Sequence, residues 1–177
     1  PGRALYLLST GTGLAPFLSI IRDPEAYERF EKVVLVHGCR HVAALAYRDW
    51  ITQELQEDEF LGDMIREKLV YYPTVTREPF ENRGRITDLI TSGRLFRDIG
   101  LEPMTPDEDR AMICGSPQML EDLKNLLQNE GFIRMIGAAD LKQRNVAVFP
   151  GQIVNCSFQQ AWKQRGSQHA AFFAHRQ

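Results

Sequence analysis

Residues 4–17, which read ALYLLSTGTGLAPF, decide the fold that this sequence predicts. The first half of the stretch is a short apolar run of the kind that forms a buried parallel strand. Gly11 and Gly13 follow at once, and glycine tolerates the backbone angles of a tight turn. Pro16 suits the first turn of a helix, because the amide hydrogen that proline lacks has no partner there. The stretch therefore predicts a strand, a glycine turn and a helix in direct succession.

The same alternation continues along most of the chain. Short apolar runs at 33–36, 69–72 and 111–114 predict three strands besides the one at 4–8. Helical periodicity is found at 14–21, 43–55 and 117–127. Because strands and helices alternate, the predicted fold class is α/β, a Rossmann-like doubly wound parallel sheet with flanking helices. In such a sheet the functional loops lie at the carboxyl ends of the strands.

Composition limits the classes of partner. The 177 residues carry 21 Lys and Arg against 23 Asp and Glu, a net charge of -2, so no overall field favours nucleic acid or an anionic membrane surface. The apolar runs are far shorter than the roughly 20 residues of a membrane helix. Cys39, Cys114 and Cys156 contain no C-x-x-C pair, which favours neither a disulfide framework nor a zinc site. We expect a cytoplasmic monomer with no nucleic acid, membrane or metal partner.

The glycine turn has the features of a pyrophosphate site. Glycines let a ligand approach the backbone closely, and a helix N-terminus offers unpaired amide hydrogens to an anion. The pattern is G-x-G-x-x-P and departs from the dinucleotide fingerprint at its third glycine, so a turn that merely links two elements remains the alternative. The predicted cofactor-binding residues of this turn are Thr10, Gly11, Thr12, Gly13, Leu14, Ala15 and Pro16.

The end of the second strand favours NADP over NAD. Dinucleotide folds that bind NAD usually place a carboxylate there for the adenosine ribose. This chain has Arg40 instead, in the run His37-Gly38-Cys39-Arg40. A guanidinium can donate two charge-assisted hydrogen bonds to a 2′-phosphate. His37 has no catalytic partner at a meaningful spacing, and we interpret it as structural.

Two more arginines follow the third predicted strand. Arg77 and Arg85 lie in a loop that would reach the same edge of the sheet, and we expect both to bind the 2′-phosphate with Arg40. The alternative for each is a solvated surface arginine paired with Glu78 or Glu81. Several arginines on neighbouring loops favour the phosphate site.

The fourth predicted strand ends in Cys114-Gly115-Ser116-Pro117, another turn that opens a helix. A thiol at this position can pack against a nicotinamide ring, and we assign Cys114 as the catalytic candidate. The alternative is a small buried residue at the end of a strand, since cysteine is often part of the core.

Together these motifs resemble the bacterial ferredoxin:NADP reductases. The resemblance extends from Pro1 to Gly131 and rests on residues 5–17, on Arg77-Glu78 and Gly84-Arg85, and on residues 114–117, in that order. It implies that Arg40, Arg77 and Arg85 surround the 2′-phosphate of NADP and that Tyr47 lies near the adenine. It also implies that Thr12, Cys114, Gly115, Ser116 and Pro117 face the nicotinamide, that FAD accepts the hydride, and that ferredoxin or flavodoxin exchanges single electrons with FAD.

Two departures from that family define further expectations. The chain opens at Pro1-Gly2-Arg3 without a Met, so we expect an interior cut, with the family's FAD-binding barrel before Pro1. We predict an NADP-binding domain at 1–131 and leave 132–177 as an unassigned tail, which a chimeric or out-of-frame origin would explain. A catalytically inactive NADP-binding module and an NADH-dependent oxygenase reductase component are the alternative functions.

Overall fold

The computed structural model describes residues 2–132, 134–137 and 152–156. Its strands are β1 (Gly2–Thr10), β2 (Phe30–Cys39), β3 (Leu69–Val75), β4 (Arg110–Cys114), β5 (Arg134–Gly137) and β6 (Gln152–Cys156). Its α-helices are α1 (Ala15–Ile20), α2 (Pro24–Arg29), α3 (Arg48–Thr52), α4 (Gly62–Lys68), α5 (Ile86–Thr91), α6 (Arg94–Ile99) and α7 (Pro117–Asn129). Single 3-10 turns span Gly11–Leu14, Val42–Ala44 and Glu54–Glu57.

The strands form one parallel sheet in the order β3-β2-β1-β4-β6-β5. The predicted α/β class and the doubly wound parallel sheet are confirmed, and each of the four predicted strands is present. The direction in which successive strands are added to the sheet reverses at β1, because β2 and β3 lie on one side of β1 and β4 lies on the other. Ligands of such sheets bind outside the carboxyl ends at this switch point. The glycine turn that follows β1 lies there.

Helices cover both faces of the sheet. Successive side chains of a strand point to opposite faces, so Tyr6 and Leu8 pack with residues of α5, α6 and α7, while Leu5 and Leu7 pack with residues of α1 to α4. All four strand residues are buried. This two-sided burial explains why the strands are nearly continuous apolar runs. No helix in the described parts of the chain has the length and apolar character needed to cross a membrane.

The predicted helix at 43–55 is wrong in its extent. Only α3 is α-helical there, and separate 3-10 turns stand before and after it. Tyr47 has a φ of 63°, in the left-handed region, which interrupts any right-handed helix. Leu45 is buried against Cys39 and Val75, and this packing takes the chain out of a regular helical path. Short helices such as α2 and α5 were not predicted, because 6 residues give too little periodicity to detect.

The strands β5 and β6 lie within 132–177, for which the sequence predicts no helix or strand. β6 pairs with β4, and β5 pairs with β6, both in parallel. The division of the chain at residue 131 stays a prediction. The remainder of that tail, including His169 and His175, lies outside the described residues.

Candidate functional site

The glycine turn leaves β1 at Thr10 and enters α1 at Ala15. Gly11 has a φ of 52°, in the left-handed region that glycine adopts without strain. A Cβ added at Gly11 would meet no atom within 4 Å, so open space lies in front of the turn. Gly11, Thr12 and Ala15 are exposed, Thr10 and Pro16 are half-buried, and Gly13 and Leu14 are buried. The helix α1 is only 6 residues long, so backbone amides of the turn matter more for an anion than a helix dipole.

The turn after β1 is packed tightly against the turn after β4. A Cβ at Gly13 would overlap the backbone carbonyl of Cys114 and lie 2.8 Å from the Cα of Gly115. A Cβ at Gly115 would overlap the Thr10 hydroxyl, and the Ser116 amide donates to that hydroxyl oxygen at 3.3 Å. Gly13 and Gly115 are therefore required by contact between two protein loops, a role that the sequence pattern does not reveal.

Backbone hydrogen bonds bring the predicted arginines to one edge. The Arg77 amide donates to the Arg40 carbonyl at 3.0 Å, just beyond the ends of β2 and β3. The chain then folds back, so that the Gly84 amide donates to the Val75 carbonyl at 3.1 Å. Arg85 follows at once and precedes the first residue of α5. All three arginines are exposed. They occupy neighbouring backbone positions at this edge, and their binding of a 2′-phosphate stays a prediction.

The carboxylates of the loop that contains Arg77 interact with other residues. Glu78 accepts a hydrogen bond from the Val42 amide, and its carboxylate lies 3.8 Å from the His41 ring. Glu81 lies 3.6 Å from Arg48. Among residues 2–132, no ion pair joins Arg40, Arg77 or Arg85 to a carboxylate. The interpretation of Arg77 or Arg85 as a partner of Glu78 or Glu81 therefore finds no support, and the guanidinium groups remain available to a ligand.

Tyr47 precedes Arg48, which contacts the loop between β3 and α5 that contains Arg77 and Arg85, the arginine loop. Its side chain is 49% exposed, and its ring meets Trp50 edge to face at 6.4 Å. The next residue, Arg48, stands over the Phe80 ring at 5.4 Å and pairs with Glu81, which ties α3 to the loop between β3 and α5. A left-handed φ at a residue with a Cβ is costly and concentrates at functional sites. Here it presents an aromatic ring to solvent directly before Arg48, which contacts the loop between β3 and α5.

The turn after β4 contains both exposed and buried residues. Cys114 is completely buried and belongs to the hydrophobic cluster of Leu7, Leu14 and Phe17. Ser116 and Pro117 are exposed, and Gly115 is half-buried. The Ser116 hydroxyl accepts a hydrogen bond from the Met119 amide at 3.4 Å and thus caps α7. Contact of the Cys114 thiol with a nicotinamide stays a prediction.

A buried polar cluster at the end of β2 was missed. His37 Nδ1 lies 3.2 Å from the Tyr71 hydroxyl, and His37 Nε2 lies 3.3 Å from Cys39 Sγ. Burial lowers the pKa of His37 to about 4, and burial raises the pKa of Cys39. The signal in the sequence was the i, i+2 spacing of His37 and Cys39, which places both side chains on one face of a strand.

Comparison with known proteins agrees with this geometry. Residues 7–125 match the oxidoreductase NAD-binding domain family. The ferredoxin--NADP reductase of Pseudomonas aeruginosa is 66% identical over 131 residues, which is 74% of this chain and 51% of that protein. The ferredoxin--NADP reductase of Azotobacter vinelandii is 62% identical over 131 residues, again 74% and 51%.

A solved structure gives the same result at the level of the fold. The crystal structure of a ferredoxin NADP+ reductase from Neisseria gonorrhoeae with bound FAD and NADP superposes with a TM-score of 0.68 at 30% identity. The match covers 88% of this chain and 56% of that one. This chain thus spans about half the length of the relatives that it matches. Since the matched residues 7–125 make up more than half of the chain, it belongs to the oxidoreductase NAD-binding domain family.

Proposed function

We propose that this chain is the NADP(H)-binding part of a ferredoxin:NADP reductase. One observation carries the proposal: Arg40, Arg77 and Arg85 are exposed at one edge of the sheet, beside the glycine turn, without a carboxylate partner among residues 2–132. Exposed arginines whose positive charge no carboxylate neutralises are suited to bind a dianionic phosphate. A 2′-phosphate is the group by which NADP differs from NAD.

The residues present fit the cofactor. Open space in front of Gly11 leaves room for a pyrophosphate at the turn, and the exposed backbone of Gly11 and Thr12 is where a ligand would approach. The exposed ring of Tyr47 offers a surface for the adenine next to the arginine loop. Thr12 and the turn of Cys114, Gly115, Ser116 and Pro117 flank the switch point, where we place the nicotinamide. NADPH supplies a hydride there, and the protein's part is to bind and orient it.

The second cofactor and the electron partner are proposed from the relatives of this chain. Their names specify ferredoxin--NADP reductase, and the Neisseria gonorrhoeae protein was crystallised with FAD and NADP. We infer that FAD is the second cofactor, that ferredoxin or flavodoxin is the electron partner, and that the protein acts as a monomer in the cytoplasm. An NADH-dependent reductase would not need an arginine cluster, so the second candidate is an NADP-binding module without activity. In a protein that also contains the FAD-binding part, flavin absorbance and the reduction of ferricyanide by NADPH distinguish an active reductase from that module.

The direct test is calorimetric titration of this chain with 2′,5′-ADP and with 5′-AMP. The two ligands differ only in the 2′-phosphate. We expect 2′,5′-ADP to bind at least roughly tenfold more tightly, because one charge-assisted hydrogen bond contributes about 1.5–3 kcal/mol. Equal affinity for the two nucleotides would refute the proposed NADP site.

A further inference from the structure

Three side chains form a hydrogen-bonded chain beneath the glycine turn. Tyr71 on β3, His37 on β2 and Cys39 at the end of β2 are linked by the contacts of 3.2 Å and 3.3 Å at the two ring nitrogens of His37. Cys39 Sγ also lies 3.1 Å from the Ala44 carbonyl oxygen. His37 is 1% exposed and Cys39 is 7% exposed. The cluster therefore belongs to the protein interior and has no part in the arginine surface.

The direction of each hydrogen bond follows from the thiol. The Cys39 S–H donates to the Ala44 carbonyl, so the sulfur can only accept from the imidazole. His37 must then carry its hydrogen on Nε2, and its Nδ1 accepts from the Tyr71 hydroxyl. The chain of donors runs from Tyr71 through His37 and Cys39 to Ala44. Within this chain of hydrogen bonds the donor and the acceptor at each step are defined, and this favours one orientation of the imidazole ring.

The Cys39 thiol beside His37 does not have the properties of a reactive thiol. A nucleophilic cysteine needs a lowered pKa and a protonated base beside it. Burial instead raises the pKa of Cys39 and lowers the pKa of His37 to about 4, so both groups are neutral near pH 7. A structural or positioning role remains for the pair.

The position of Gly11 shows what the pair supports. Thr10, the last residue of β1, is opposite Gly38 on β2, and Gly11 and Cys39 come directly after these two paired residues. The Gly11 backbone opposes the effect of burial on the pKa of His37 and on the pKa of Cys39, which agrees with its place beside both side chains. The first exposed residue of the glycine turn thus lies beside two buried side chains.

We propose that His37 and Cys39 are positioning residues that set the Gly11 backbone for the pyrophosphate of a dinucleotide. The inference rests on the proposed function for the identity of the ligand. On this proposal, binding of the pyrophosphate depends on the buried pair of His37 and Cys39, whereas binding of the 2′-phosphate depends on the arginine loop. The two halves of the site are then separable by mutation.

The experiment compares two ligands on this chain by calorimetry. NADP+ contains the pyrophosphate, and adenosine 2′-monophosphate contains only the part that the arginines bind. The His37→Leu variant, which removes both ring nitrogens, should weaken NADP+ binding roughly tenfold and leave the binding of adenosine 2′-monophosphate within about twofold. The His37→Gln variant restores a donor towards Cys39 and should recover most of the NADP+ affinity.

Thr74 supplies a matched control. It is as buried as His37, lies on the neighbouring strand β3, and its hydroxyl donates to the Gly84 carbonyl at 2.8 Å in the arginine loop. Thr74→Val should weaken both ligands by the same factor, because only the 2′-phosphate side is disturbed. If His37→Leu does not fold, Cys39→Ala supplies the comparison, since it removes the sulfur that contacts His37 and leaves a small apolar side chain.

The outcomes separate this inference from the proposed function. A wild-type chain that binds neither ligand overturns the proposed function itself. A wild-type chain that binds both, with an equal loss of the two ligands in His37→Leu or Cys39→Ala, overturns the positioning role. Selective loss of NADP+ binding, with recovery in His37→Gln, supports it, because a merely structural defect would not distinguish the two ligands.

Discussion

Gly13 and Cys114 are so close that the backbone carbonyl of Cys114 occupies the space where a side chain at position 13 would begin. The contact joins the turn after β1 to the turn after β4, on the two sides of the switch point of the sheet. Both turns take part in the proposed nucleotide site. The geometry of that site thus depends on packing between loops as well as on the residues that would touch a ligand.

This contact predicts different costs at the two glycines of the turn. Gly13→Ala forces the backbone of the two turns apart and should lower the free energy of unfolding by about 2–3 kcal/mol. Gly11→Ala meets open space and should cost about 1 kcal/mol, from its left-handed φ of 52° alone. Urea unfolding of both variants measures the difference. Equal stability of Gly13→Ala and the wild-type chain would contradict the close packing.

The arginine cluster predicts a selective loss of affinity. Arg77→Ala and Arg85→Ala should each weaken 2′,5′-ADP binding by about 10- to 100-fold, because a charged hydrogen bond to the 2′-phosphate is lost. The affinity for 5′-AMP should not change. Arg97→Ala is the control, since Arg97 is exposed on α6, outside the loops of the site. A similar loss in Arg97→Ala would attribute the effect to net charge instead of to local contacts.

The position of Cys114 predicts an effect on hydride transfer that is separate from binding. The thiol lies at the end of β4, in the turn that flanks the switch point, so its proposed role is contact with the nicotinamide. In a protein that also contains the FAD-binding part, Cys114→Ala should slow the single-turnover reduction of FAD by NADPH. The variant should bind 2′,5′-ADP as the wild-type protein does. An unchanged single-turnover rate would remove Cys114 from the site.

Burial of His37 predicts a pH dependence of stability. The imidazole takes up a proton near pH 6.5 in the unfolded chain but only near pH 4 in the folded protein. Between these values the unfolded state binds more protons, so the free energy of unfolding falls as the pH falls, by up to about 3 kcal/mol in total. Cys39 and Tyr71, which face His37, stay neutral throughout this range.

The variant His37→Gln isolates this contribution, because glutamine does not titrate. Its free energy of unfolding should fall less than that of the wild-type chain between pH 6.5 and pH 4, whatever other groups contribute to both. Urea unfolding at several pH values measures the two curves. Parallel curves for the two proteins would show that His37 is not buried in its neutral form.

The sequence by itself determined those features whose physical cause is local. Strand residues such as Leu5, Tyr6, Leu7 and Leu8 are buried on both faces of the sheet, which requires a continuous apolar run, and such a run can be recognised without a structure. A glycine turn followed by Pro16 indicates the start of a helix for equally local reasons. The absence of a carboxylate after β2 and the presence of Arg40 are likewise matters of residue type. The fold class could therefore be predicted, and the proposed ligand also rests on residue type.

Only the tertiary structure decided which distant groups meet. The Ser116 amide donates to the Thr10 hydroxyl across 106 residues of chain, and His37 contacts Tyr71 across 34 residues. Glu78 accepts from the Val42 amide across 36 residues, so the Glu78 carboxylate does not pair with Arg77. Tyr47 interrupts the predicted helix because Leu45 packs against Cys39 and Val75, residues of other elements. Periodicity reports the burial of one element but carries no information about its partners. Partner choice depends on the energy of the whole packed arrangement, in which each carboxylate, thiol and hydroxyl can satisfy only a few of the groups around it.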